Sequence, residues 1–149
     1  MQVTQKCQYA LRASFELAKR AGEGPVKTAD IADAQAIPPR FLEVILSQLK
    51  QTGFVASQRG AEGGYVLVRP ADQLSVGEIM RFMQGSISPV GCVSGNAKDQ
   101  CSLHGKCVFL PMWERAAQAL SSVYDTTTLQ DLIDDERRKS AKREFSYCI

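Results

Sequence analysis

Residues 38–67 read P-P-R-F-L-E-V-I-L-S-Q-L-K-Q-T-G-F-V-A-S-Q-R-G-A-E-G-G-Y-V-L. Two periodicities meet in this stretch. From Pro39 to about Thr52 the apolar residues Phe41, Leu42, Ile45, Leu46 and Leu49 recur at helical spacing, and they are assigned to a buried face. Arg40, Glu43, Ser47 and Lys50 recur on the opposite side. Pro39 fits a first helical turn, where the N–H it lacks has no partner anyway. Gly53 is a good stop. Phe54–Gln58 then reads as a strand, Arg59-Gly-Ala-Glu-Gly-Gly64 as a turn, and Tyr65–Val68 as a returning strand closed by Pro70. A helix with a polar outer face followed at once by a glycine-rich hairpin is the order found in a winged helix-turn-helix.

The residues before this stretch supply the missing helices. Thr4 can cap a first helix running to about Ala21. Its apolar stripe is Cys7, Ala10, Leu11, Ser14, Phe15 and Ala18, so Cys7 reads as core. Gly22 and Gly24-Pro25 end it. Thr28 is assigned as the cap of a short second helix, T-A-D-I-A-D-A-Q. After the hairpin, Ser75-Val-Gly-Glu78 is a capping box that opens a fourth helix, with Val76, Ile79, Met80 and Met83 on its apolar side. The expected fold class is mainly α with a small β-hairpin: a winged helix-turn-helix over residues 1–84, later extended by a long helix.

Residues 91–107, G-C-V-S-G-N-A-K-D-Q-C-S-L-H-G-K-C, break the helical pattern. Cys92, Cys101 and Cys107 stand at the spacing C-x8-C-x5-C. Free cysteine usually hides on an apolar face, whereas these three lie in a polar loop rich in loop-forming residues. Three soft ligands so placed suit a metal centre over residues 85–107. Scattered structural cysteines are the plainer alternative. His104 is either a further ligand or an exposed loop residue.

From Val108 a long helix follows, with Pro111 in its first turn and Trp113, Ala116, Ala117, Leu120 and Tyr124 along one side. The small alanines permit close approach of a second helix. Residues 108–133 therefore read as a dimerisation helix and a short capped helix begun by Thr128–Asp131, and the expected partner is a second copy. Residues 134–149, of mixed charge and little core material, are expected to be a flexible tail.

Composition sets the compartment. The chain has 149 residues, of which 44% are apolar, with net charge +2 and five cysteines. No apolar run approaches the ~18 residues a spanning helix needs, and Met1–Tyr9 has no signal-peptide core. A cytoplasmic protein with no membrane partner is expected. There thiols stay reduced, which favours metal or redox chemistry over structural disulfides. Residues 1–69 carry nine Lys and Arg against six Asp and Glu, a balance of +3. That is the sign a nucleic-acid-binding half needs. Against an enzyme stand a single histidine, no nucleophile–base pairing, no phosphate-binding glycine loop and no paired carboxylates in a credible pocket.

The chain resembles the bacterial winged-helix regulators that include the iron–sulfur regulator IscR and the nitric-oxide sensor NsrR, the Rrf2 family. The matching residues are Y-A-L-R (9–12), D-I-A (30–32), P-P-R-F-L-E (38–43), R-G-x-x-G-G-Y-x-L (59–67), S-V-G-E-I (75–79), the cysteine loop and P-M-W (111–113). The resemblance spans about residues 1–133. It implies a homodimer on partly symmetric, double-stranded operator DNA, with Cys92, Cys101 and Cys107 holding an iron–sulfur cluster, 2Fe-2S or 4Fe-4S. Such clusters normally take four ligands. IscR-like chains carry a histidine three residues after the third cysteine, where this chain has Leu110. NsrR-like chains can use an acidic residue where this chain has Gln8. His104, Cys7 or an exogenous ligand are the remaining candidates. An incompletely ligated cluster suits a sensor of redox state, nitric oxide or Fe–S supply.

The DNA-contacting set expected from this layout is Thr28, Pro39, Arg40, Glu43, Ser47, Arg59 and Gly60. Arg40 can pair with a guanine edge or a phosphate, and Glu43 can accept from cytosine N4. Arg59 at the hairpin tip suits a narrow minor groove. Thr28 can meet a phosphate at a helix start. Two alternatives keep the DNA binding and change the centre. One is a structural Cys3His zinc site made by Cys92, Cys101, His104 and Cys107. The other is a metal-free thiol/disulfide switch.

Overall fold

The computed structural model describes residues 2–94, 101–103 and 105–146. Helix α1 (Gln5–Lys19) starts where the Thr4 side chain accepts from the Cys7 N–H. Of its apolar stripe Cys7, Ala10, Ser14 and Ala18 are buried and Leu11 and Phe15 are half-buried against the core; Ala13, Glu16 and Leu17 are covered as well. Helix α2 (Thr28–Gln35) follows. Thr28 is not its cap: Lys27 holds that position, and no side chain closes the first turn. The Lys27 carbonyl accepts from Ile31 instead.

The turn between α2 and α3 (Pro39–Gln51) is tight. Ala36 sits in the left-handed region at φ 50°, and the Ile37 N–H reaches back to the Ala32 carbonyl at 2.9 Å. Leu42, Ile45, Leu46 and Leu49 of α3 are buried, as read from the sequence. Phe41 is a correction: it is 62% exposed. Position 41 lies one residue before Leu42, at the edge of the apolar arc, and there the side chain swings toward α1 instead of into the core.

Strands β1 (Val55–Gln58) and β2 (Gly64–Leu67) pair antiparallel, Val55 opposite Leu67 and Gln58 opposite Gly64. Val26 adds an edge to β2, exchanging both backbone hydrogen bonds with Tyr65 at 2.8 and 2.9 Å. This fixes the hairpin to the start of α2. The approach is so close that a Cβ on Gly64 would overlap the Val26 carbonyl. Gly64 therefore serves the chain's own packing.

Helix α4 (Val76–Gln84) begins with both reciprocal bonds of the Ser75–Glu78 box. A 3-10 turn covers Gly91–Val93. Helix α5 (Leu110–Thr126) keeps Pro111 in its first turn. Thr128 and Asp131 then cap α6 (Leu129–Ser146), each side chain taking the other's backbone N–H.

The segment from 134 is a correction too. The expected tail continues α6 to Ser146. No Gly or Pro interrupts it, and Asp134–Arg137 and Asp135–Arg138 pair along its face. Lys19 of α1 bonds Glu136 at 2.9 Å. Residues 147–149, Cys148 among them, lie outside the described residues.

The core is built from α1, α3, α4 and the start of α6, with Leu17, Leu42, Leu46, Leu49, Leu74, Ile79 and Leu129 at 0–1% exposure. Cys7 is fully buried within it, and burial pushes its thiol pKa up.

Candidate functional site

Helix α3 and the hairpin tip both expose polar side chains. Pro39, Arg40, Glu43, Ser47 and Lys50 are exposed on α3, and Arg59 and Gly60 at the hairpin tip. Three contacts fix the hairpin relative to the helices. Lys50 donates to Ser57 Oγ at 2.7 Å, tying the end of α3 to β1. Val26 grips Tyr65. Lys27 lies 4.0 Å from Glu62, bridging the start of α2 to the turn. Gly60 adopts φ 116°, which a side chain would strain. Thr28 is half-buried at the first position of α2.

Glu16 secures this arrangement from behind. It is 3% exposed and accepts from Arg20 Nε and Gln35 Nε2, both at 2.7 Å. With a cation on one oxygen and an amide donor on the other, each oxygen of this buried carboxylate has a partner. It locks α1 to the end of α2, and so sets the turn that aims α3.

Sequence reasoning missed the apolar part of the outward face. Phe41 is joined by Val44, 55% exposed. Positions 41 and 44 are one helical turn apart and flanked by Arg40 and Glu43. That alternation of polar and apolar residues was the available signal.

The structure places Cys92 on the 3-10 turn and Cys101 and Cys107 in the loop before α5; all three are half-buried and outside any disulfide. Among the described residues, no three His, Cys, Asp or Glu side chains converge at metal-binding distance. His104 lies outside the described residues. The donor set nonetheless suits a thiolate-ligated group: three accessible thiols beside a segment that contacts α5. Cys7, sealed in the core, is not positioned as a ligand.

A family model described as "Iron-dependent Transcriptional regulator", Rrf2, matches residues 3–135. The chain belongs to the Rrf2 family. Its relatives are transcriptional regulators, a non-enzymatic and DNA-binding class. The HTH-type transcriptional regulator CymR of Bacillus subtilis is 37% identical over 132 residues, 89% of either chain. The solved structure of CymR, the global cysteine regulator of B. subtilis, matches with a TM-score of 0.72 over 89% of this chain and 95% of that one. The IscR of Erwinia tasmaniensis is 32% identical, over 91% of this chain and 81% of its own. A solved T. potens IscR, also 32% identical, gives a TM-score of 0.74 over 91% and 88% of the two chains. These relatives bear out the Rrf2 resemblance and the winged-helix architecture. No described helix is long and apolar enough to cross a membrane.

Helix α5 has no fully buried residue. Leu120 and Tyr124, assigned from the sequence to a dimer face, pack against the chain's own core instead. The outer side carries Phe109, Met112, Ala116, Ala119 and Val123, at i, i+3, i+7, i+10 and i+14. Phe109 is 61% exposed and Val123 60%. The single chain leaves this stripe uncovered.

Proposed function

We propose that this Rrf2 regulator acts as a cytoplasmic homodimer. In this reading, α3 enters the major groove of double-stranded operator DNA, and Arg59 at the hairpin tip reaches the minor groove. Its grip on DNA is set by an iron–sulfur cluster on Cys92, Cys101 and Cys107. The cysteine spacing carries this reading: three soft ligands, accessible and unpaired, immediately before α5. The outer stripe of α5 is the surface for the second copy, and its two-heptad apolar spacing suits a helix pair.

Thr28, Pro39, Arg40, Glu43, Ser47, Arg59 and Gly60 are the DNA-contacting set. Arg40 and Arg59 supply charge that a phosphate backbone or a guanine edge accepts. Glu43 is an acceptor for cytosine N4 and repels a misplaced phosphate, so it contributes discrimination more than affinity. The cluster, when bound, supplies redox and nitric-oxide sensitivity. The chain's part is to couple it to DNA. The turn holding Cys92 contacts α5, so a change at the thiols alters the start of the dimer helix and the separation of the two α3 helices.

A second reading rests on Cys92, Cys101 and Cys107 standing as free thiols. There the same three thiols act without metal, and oxidation to a disulfide is the signal. The structural zinc site with His104 is the third possibility. Anaerobic purification with visible spectroscopy and iron, sulfide and zinc analysis separates them. Iron and acid-labile sulfide at stoichiometric levels support the cluster. Colourless protein with zinc supports the zinc site. Metal-free protein whose DNA affinity responds to peroxide supports the thiol switch. Identical DNA affinity for loaded and stripped protein at one salt concentration overturns the coupling.

A further inference from the structure

We infer that Phe41 and Val44 read the 5-methyl groups of thymines in the operator's major groove. They set sequence preference at positions that Arg40 and Glu43 do not reach. This rests on the DNA-binding reading of α3 and deepens it.

Phe41 and Val44 are large apolar side chains at 62% and 55% exposure on a helix whose inner face is already filled by Leu42, Ile45, Leu46 and Leu49. They do not serve the core. Together with Tyr9 and Ile45 they wall an open groove of about 650 Å³ between α1 and α3, with Gln5 and Lys6 at its edge. The Tyr9 ring lies 6.4 Å from the Phe41 ring, tilted by 48°. That contact supports one side of the Phe41 ring and leaves the rest of it open to a ligand.

Two occupants fit an apolar groove on this face: a second copy of the chain or DNA. The rim decides between them. Lys6 lines its edge and Arg40, next to Phe41, is exposed on the same helix, so a two-fold contact here would bring cations of both copies together. A duplex brings the opposite charge. The outward face of α3 also continues without a break from Arg40 and Glu43 into Phe41 and Val44, so a groove that receives one receives the other. In the major groove only thymine presents a methyl group, and an apolar side chain is its natural partner. The uncovered stripe on α5 already provides a surface for self-association.

The test uses the full-length protein and a preferred duplex selected from random sequences. Each thymine is replaced in turn by deoxyuridine, which removes the methyl and leaves every hydrogen-bonding group. At one or two positions the wild-type protein is expected to bind about fourfold more weakly, the ratio that burial of one methyl-sized group supports. Phe41→Ala and Val44→Ala should bind the thymine duplex more weakly by a similar factor and be indifferent to deoxyuridine at those positions. Their dependence on salt should match wild type, because no phosphate contact is lost. Arg40→Ala, in contrast, should flatten the salt dependence and stay methyl-sensitive. Tight binding with no methyl sensitivity at any thymine overturns the inference and leaves the regulator reading intact. So does equal sensitivity in Phe41→Ala, or a changed oligomeric state in that variant. Failure of wild type to bind any duplex overturns the α3 interface and this inference with it.

Discussion

Arg81 of α4 holds Asp125 of α5 in a two-pronged ion pair, Nη1 to Oδ1 at 2.6 Å and Nη2 to Oδ2 at 2.7 Å. Gly77, one turn earlier on α4, leaves the space through which Asp125 reaches it: a Cβ there would overlap Asp125 Oδ1. The pair sits where the DNA-binding half meets the α5 helix. Backbone bonds reinforce it, from Val76 to Thr127 and from Leu129 to Leu74.

Gly77→Ala tests this relationship by a change of sign. Alanine favours a helix over glycine by up to about 1 kcal/mol, while displacing Asp125 loses an exposed ion pair of about 0.5–1 kcal/mol. In wild type the substitution should be close to neutral. In an Asp125→Ala background, where only the flexible end of Arg81, 3.1 Å away, has to give, it should stabilise by about 0.5–1 kcal/mol. Urea unfolding of the four proteins gives the cycle. Equal effects in both backgrounds would mean that Gly77 and Asp125 do not interact.

The same pair predicts an acid dependence. Hydrogen bonding from Arg81 holds the Asp125 carboxyl below its usual range, outweighing a small opposing effect of burial. Burial raises the Glu78 carboxyl, but Arg69 and the Ser75 backbone outweigh this and hold it low as well. A carboxyl whose pKa falls on folding contributes stability above its unfolded pKa and loses it as pH drops through the folded one. Wild type should therefore lose stability below about pH 4. Asp125→Ala should show a shallower loss between pH 4 and pH 2, read by thermal melts, while its melting point at pH 7 is only slightly lower.

Ala36 carries a backbone conformation that L-residues avoid. At φ 50° its Cβ is crowded by its own carbonyl. Glycine there removes the crowding and gives back part in unfolded-state entropy. Ala36→Gly should raise stability by about 1 kcal/mol, or the melting temperature by roughly 2–4 °C. Calorimetry checks it, and a lower melting temperature would contradict the geometry. DNA affinity gives a second readout, because the turn that aims α3 becomes easier to deform.

Much of this was legible beforehand. The Ser75–Glu78 and Thr128–Asp131 caps use side chains that reach only three residues, so sequence spacing was enough to find them. The hairpin announced itself through Gly60 and Gly63-Gly64 between two apolar runs. What stayed hidden depends on partners distant in sequence. Phe41 belongs to the apolar repeat of α3, and only the position of Tyr9 shows that its ring turns outward. Leu120 and Tyr124 share a stripe with Trp113, and only the placement of α4 reveals that the core already claims them. Residues 134–146 looked like solvated tail because their support includes Lys19, 117 residues from Glu136.

Gly64→Ala examines the attachment of the hairpin. The added methyl meets the Val26 carbonyl, a backbone atom with no rotamer to yield. The two exchanged bonds between Val26 and Tyr65 must lengthen, at a cost of about 1–3 kcal/mol. Chemical shifts of the hairpin amides should move while those of α5 and α6 stay in place. A variant as stable as wild type would show that the hairpin can retreat without penalty.

Val123→Glu tests the outer stripe of α5. Val123 is 60% exposed in the single chain, so a carboxylate there is solvated and the fold should survive. Buried against a second copy, two such charges would be taken out of water without a counter-ion, at a cost an apolar helix–helix contact does not offset. Sedimentation should therefore change from dimer to monomer while helical content is preserved. Affinity for a symmetric duplex should fall on the order of a hundredfold, because the second half-site no longer benefits from the first. Affinity for a half-site should be unaffected, since Val123 is on α5, which packs on α4 and the Cys92 turn. A variant that remains dimeric with full affinity would move self-association away from Phe109, Met112, Ala116, Ala119 and Val123 to another face of the molecule.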